Sequence, residues 1–124
     1  MTMRRGRPTG GERVLIVDDH EDIRRLLRLV LESEGVEVVA EAADGVDGLR
    51  LAEEHQPDFV ILDHMMPVMT GEEAAGKMRR TAPYSVIIAF SASYEGTPGW
   101  GDAFVAKEDI AGIMPILEGM RRIA

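Results

Sequence analysis

The sequence predicts an α/β fold, a doubly wound parallel sheet of five strands with helices on both faces. Three observations predict it. Short β-branched apolar runs read as strands buried on both faces. Segments of helical period separate them, and the repeating strand-helix order calls for right-handed crossovers onto one parallel sheet. A length of 124 residues suits one compact domain.

Val14-Leu15-Ile16-Val17 is the first strand and ends at Asp18-Asp19. Ile23, Leu26, Leu27, Val30 and Leu31 then repeat at helical spacing, with Arg24, Arg25, Arg28 and Glu32 on the other face and Gly35 as the terminator. Val36-Glu37-Val38-Val39-Ala40 is the second strand, and Asp44 to His55 the second helix, with Val46, Leu49 and Leu51 among its apolar positions. Pro57 resets the chain for the third strand, Phe59-Val60-Ile61-Leu62, which ends at Asp63. Gly71 to Thr81 is a weaker helix, and Ser85 to Phe90 the fourth strand. Tyr94 to Gly101 holds three glycines and a proline, so a stub or loop, rather than a long helix, leads to the fifth strand at Ala103-Phe104-Val105. Glu108 to Ile123 has Ile110, Ile113, Met114 and Leu117 at helical spacing, with Pro115 predicting a kink or a restart near Met114.

Composition narrows the function. There is no cysteine, hence no disulfide framework and no thiolate metal site, and the chain suits a reducing cytosol. No apolar run approaches the ~20 residues that span a bilayer, and the start lacks a signal-peptide core. A cytoplasmic protein with no membrane association is expected. The net charge of −8 opposes DNA contact by the folded body. Residues 1–11 read as a disordered basic tail ahead of a domain over residues 12–124. Arg5-Gly6-Arg7-Pro8 has the look of a minor-groove arm, with a plain solvated tail as the simpler reading.

In an open parallel sheet, ligands bind beyond the carboxyl ends of the strands, where the strand order reverses. If the first and third strands are neighbours, Asp18, Asp19 and Asp63 converge there. Two unit charges about 4 Å apart repel by roughly 4 kcal/mol at an effective dielectric near 20. Such a cluster calls for a cation. Hard oxygen donors suit Mg²⁺, and Lys107 and Ser91 follow the fifth and fourth strands with an ammonium and a hydroxyl. Metal, carboxylate, cation and hydrogen-bond donor together suit phosphoryl transfer. The simpler readings are a helix-capping acidic turn for Asp18-Asp19, a solvated Lys107 and a turn hydroxyl at Ser91. His20, His55 and His64 share no metal-ligand spacing and read as solvated.

Val17-Asp18-Asp19, Asp63-His64-Met65-Met66-Pro67 with Gly71, Ser91-Ala92 and Phe104-Val105-Ala106-Lys107, in that order, resemble the receiver domain of two-component response regulators over about Glu12 to Ala124. The resemblance implies a flavodoxin-like sheet of order 2-1-3-4-5. It implies that Asp63 takes a phosphoryl group from a histidine kinase or phosphotransfer protein, acting as a phosphoacceptor that assists its own phosphorylation and dephosphorylation rather than as an enzyme. Mg²⁺ would be held by Asp19, Asp63 and the Met65 carbonyl, with Asp18 acting through water. Lys107 and Ser91 would contact the phosphoryl group, Ser91 and Phe104 would form the switch, and Met65 and Ser93 would flank the attacking water. A downstream protein target and a homodimer are further implications.

Two features depart from the family's pattern. Glu108 replaces the usual proline after the lysine, and the interval from Ser91 to Lys107 is several residues short, at the expense of the fourth helix. These leave an alternative: a receiver-like interaction module that works without phosphorylation. A flavin-binding flavodoxin is disfavoured because Asp18-Asp19-His20-Glu21-Asp22 would repel a phosphate. A haloacid-type phosphatase is disfavoured because Met65 stands where a second aspartate is needed. No output domain follows Ala124, which fits a stand-alone receiver or a fragment. Trp100 suits either a partner anchor or packing over the shortened region.

Overall fold

The structure, a computed structural model, describes residues 11–92 and 99–123. The expected basic tail, Ser93 and most of the stub at Tyr94 to Gly101 lie outside the described residues. The elements follow the order β1 (Arg13–Val17), α1 (Glu21–Ser33), β2 (Glu37–Ala42), α2 (Gly45–His55), β3 (Phe59–Leu62), α3 (Gly71–Thr81), β4 (Val86–Ser91), β5 (Ala103–Ala106) and α4 (Ile113–Ile123). All strand pairs are parallel and the sheet order is β2-β1-β3-β4-β5. Among the described residues no helix stands between β4 and β5.

Strand alternation divides the core into two layers. Val14, Ile16, Phe59, Ile61, Ile88, Phe90 and Val105 pack on one face with Leu27 and Leu31 of α1 and Ile113 and Leu117 of α4. Leu15, Val17, Val60, Leu62 and Ile87 pack on the other with Ala52 of α2 and Ala74, Ala75 and Met78 of α3. The central strands are therefore apolar over their covered lengths, Val14 to Val17 of β1 and Phe59 to Leu62 of β3, as a strand covered on both sides must be.

Local chemistry sets the helix ends. Gly35, at φ 82°, ends α1: its N–H donates to Glu32 O, and Val36 N–H reaches back to Leu31 O. That pair of bonds satisfies two orphan carbonyls, and left-handed backbone is where glycine has the advantage. Asp44 caps α2 by accepting from Asp47 N–H. Thr70 and Glu73 form a reciprocal capping box at α3, so this helix has a stronger start than its weak apolar pattern suggests.

Two expectations need correction. β2 runs from Glu37 to Ala42, two residues further than expected, because an edge strand carries half-exposed polar residues that mask its end. Val46 is exposed, and α2 packs through Gly45, Gly48 and Ala52, with Gly48 lying against Val17 and Gly45 against Met69. Of the two outcomes expected at Pro115, the structure has the restart near Met114 and not the kink. A 3₁₀ turn at Ile110–Gly112 comes first, and α4 starts at Ile113, so Pro115 falls in a first turn whose N–H groups have no helical partner anyway.

Candidate functional site

The sheet places a set of charged side chains at the carboxyl end of β1 and β3, where the chain order reverses. Each is fixed by a ladder bond one residue past its strand. Asp18 N–H donates to Ala42 O at 3.0 Å, Asp63 N–H to Val17 O at 2.9 Å and Lys107 N–H to Ser91 O at 3.3 Å. Backbone bonding to adjacent strands gives these residues little freedom to move apart.

The expected ionic residues meet. Lys107 Nζ lies 2.8 Å from Asp18 Oδ2 and 3.2 Å from Asp63 Oδ2. Asp18 and Asp63 are buried, while Asp19 is part-exposed beside them. Neither Asp18 Oδ2 nor Asp63 Oδ2 accepts a hydrogen bond from any described group other than this ammonium. Two buried carboxylates thus share one ammonium, with the Asp19 carboxylate beside them. Burial, followed by the Asp18 charge, pushes the Asp63 carboxyl up to about 6, against the pull of Lys107. At Lys107 burial lowers the pKa, but the hydrogen bond and charge of Asp18 and then the charge of Asp63 outweigh it, and the ammonium ends above its ordinary value.

Asp18 and Asp19 do not cap α1. The N-cap position is His20, which makes no side-chain cap bond, while Asp18 Oδ1 accepts from His20 N–H at 2.9 Å, just before the helix. From α1, Arg24 Nη1 donates to Asp18 O at 2.7 Å, and its Nε reaches Glu41 of β2, which also binds Arg28. The acidic turn is thereby clamped to both neighbouring elements.

Gly71 explains the turn after β3. A methyl there would overlap the Asp63 carbonyl oxygen and stand 2.8 Å from His64 Cα, and Gly71 N–H donates to His64 O at 2.8 Å. The start of α3 thus presses directly on the backbone of Asp63. Between them, Val68 takes φ 74° inside a turn closed by Met69 N–H on Pro67 O at 2.8 Å. A β-branched residue is strained there by about 1–2 kcal/mol, and the glycine contact and capping box on its far side hold the turn.

Ser91 is buried at the end of β4, and Phe104 is half-buried on β5. The register pairs Ala89 with Phe104 and Ser91 with Ala106, so Ser91 and Phe104 share one face of the sheet. The Met65 side chain is 61% exposed.

Two histidines depart from the solvated expectation. The His20 ring, though exposed, brings Nδ1 to 3.1 Å from both Asp18 Oδ1 and Asp19 Oδ1. Its position directly after the acidic pair was the available signal. His64 stacks on Trp100, with ring centroids 5.5 Å apart and planes at 26°. Trp100 therefore packs, and no sequence signal links two residues so far apart. The segment around it is latched: Asp102 exchanges bonds with Ile87, and Arg79 of α3 binds both Asp102 and Trp100 O.

Comparison with known proteins bears on the family and the fold. The sequence profile of the response regulator receiver domain matches residues 14–99. A protein-glutamate methylesterase/protein-glutamine glutaminase of Hahella chejuensis is 40% identical over 77% of this chain and 26% of its own length. The transcriptional regulatory protein PdtaR of Mycobacterium tuberculosis is 47% identical over 64% of this chain and 40% of its own. The chain thus spans well under half the length of these relatives. Among solved structures, the response regulator domain of Thermotoga maritima CheB superposes with a TM-score of 0.78 at 26% identity, covering 92% of this chain and 96% of that one. CheY in the CheX–CheY–BeF3–Mg²⁺ complex of Borrelia burgdorferi gives 0.79 at 26% identity, covering 88% of each.

Proposed function

The chain belongs to the response regulator receiver domain family, and on that premise we propose that Asp63 accepts a phosphoryl group in two-component phosphorelay signalling. The observation that carries the reading is the Lys107 ammonium lodged between Asp18 and Asp63 at the switch point of the sheet. It also answers the alternative of a phosphorylation-independent module, which rested on Glu108 and the short interval before it: Lys107 reaches the acidic site despite both.

The donor is the phosphohistidine of a sensor histidine kinase or phosphotransfer protein. A carboxylate oxygen of Asp63 attacks phosphorus, the phosphorus–nitrogen bond breaks, and its electron pair stays on the imidazole, leaving an acyl phosphate on Asp63. With no cation bound, burial and the Asp18 charge raise the Asp63 carboxyl to about 6, so it is still ionised at neutral pH and available as the nucleophile. Lys107 pairs with the incoming phosphoryl oxygens, and Ser91 adds a hydroxyl donor.

The residues fit a divalent cation. Two buried carboxylates share one ammonium with a third carboxylate beside them, and the donors are the hard oxygens that Mg²⁺ takes. Asp19, Asp63 and the Met65 carbonyl would hold it, with Asp18 through water. Bound there, Mg²⁺ would offset the charge gathered on the transferring phosphoryl group. The Borrelia CheY complex, with Mg²⁺ and BeF3 in its name, supports this choice of ion.

Ser91 and Phe104, on one face of the sheet, form the switch that passes the new charge to the surface. The output is a change in affinity for a downstream protein or a second copy of the domain. No helix among the described residues is long and apolar enough to cross a membrane, and we place the domain in the cytoplasm.

Incubation with a radiolabelled small-molecule phosphodonor tests the proposal. Wild type should take up label with Mg²⁺ and not with EDTA, and Asp63→Asn should take up none. A folded wild type that stays unlabelled in Mg²⁺ would overturn it.

A further inference from the structure

The phosphoryl-transfer reading makes no use of His20. Yet its Nδ1 stands 3.1 Å from Asp18 Oδ1 and 3.1 Å from Asp19 Oδ1, and donor atoms of Asp18, Asp19, His20 and Asp63 all lie within 4.8 Å of one another. Two of these side chains are buried, and Asp18 Oδ2 and Asp63 Oδ2 have only the Lys107 ammonium for company. With bonds near 2.1 Å, adjacent corners of an octahedron stand about 3.0 Å apart. That is the spacing His20 Nδ1 keeps from Asp19 Oδ1, a ligand in the metal-dependent reading, while its contact with Asp18 Oδ1 is a hydrogen bond.

Ligand type then decides which ion benefits. Carboxylate, carbonyl and water suit Mg²⁺, whereas an imidazole nitrogen adds affinity for later first-row ions such as Fe²⁺, Co²⁺, Ni²⁺ and Zn²⁺. We propose that His20 is a nitrogen ligand that widens this site to first-row transition-metal ions, so that the domain discriminates against Mg²⁺ more strongly than its carboxylates alone would. The exposure of the ring, 62%, leaves it free to turn onto an ion entering from solvent. The proposal rests on the metal-dependent reading of the site, and it makes the metal content of the surroundings an input to the domain alongside the phosphodonor.

Co²⁺ and Mg²⁺ titrations by calorimetry, with proton NMR of the Co²⁺-loaded protein, test it. Wild type should show a strongly shifted, exchangeable imidazole N–H resonance. His20→Asn should lose that resonance and about tenfold or more of the Co²⁺ affinity while keeping its Mg²⁺ affinity. His64→Asn should keep both. An unchanged ratio of Co²⁺ to Mg²⁺ affinity in His20→Asn, with Mg²⁺ binding and label uptake intact, overturns the assignment of His20 alone. Failure of wild type to bind either ion overturns it together with the metal-dependent reading.

Discussion

Asp63 is held where it is least comfortable. Burial and the Asp18 charge raise its carboxyl to about 6 from an ordinary 3.8, so the native state binds its proton more tightly than the unfolded chain does. Stability from this group is therefore present at low pH and lost as pH rises through the interval between those values. Without divalent ions, Asp63→Asn should melt higher than wild type above about pH 7, by an amount worth up to about 3 kcal/mol, and the gain should vanish as pH falls toward 4. Thermal melts in EDTA across that range check it, and an Asn variant that is less stable throughout would contradict it. Gly71 acts on the same residue from the other side. Gly71→Ala must push the Asp63 carbonyl away, since backbone rather than a flexible side chain stands in the path of the methyl. We expect a loss of about 1–3 kcal/mol in denaturant unfolding and a slower phosphoryl uptake, because the carboxylate moves with its backbone.

At the scale of elements, the described end of the connection from β4 to β5, Gly99 to Asp102, is tied to its neighbours. Asp102 ties it to β4 through Ile87 and to α3 through Arg79, and Trp100 lies on His64, the residue after Asp63. The Arg79–Asp102 pair is over a third exposed and adds little by itself. The bond from Ile87 N–H to Asp102 matters more, since its loss leaves a buried donor unpaired. Asp102→Ala should cost about 1–2 kcal/mol and shift the emission of Trp100, the sole tryptophan, to the red as its ring loosens from His64. Unchanged emission would show that the latch does not hold the ring.

For the whole molecule, the order of elements was legible because parallel strands buried on both faces read as unbroken apolar runs, and Val14 to Val17 and Phe59 to Leu62 are such runs. The acidic residues were legible because strand ends are marked by the first charged residue. What was not legible depends on three-dimensional neighbours. Leu49 and Leu51 pack as their positions suggest, but Gly45 and Gly48 carry no hydropathy signal, so their place on the packing face of α2 is hidden and Val46 is wrongly included. The end of β2 was hidden by its position at the sheet edge. His20 needed the fold of the acidic turn to bring its ring back onto Asp18 and Asp19, and the His64–Trp100 stack needed the fold to join residues from two crossovers.

The central claim is that Asp63 is the phosphoacceptor of this domain. The most direct test is to treat the protein with Mg²⁺ and a small-molecule phosphodonor, then digest it and map any hydroxylamine-labile adduct by mass spectrometry. The account predicts one phosphoryl group, on Asp63, that EDTA prevents. An adduct on another residue, or none on a protein whose fold is intact, would contradict it.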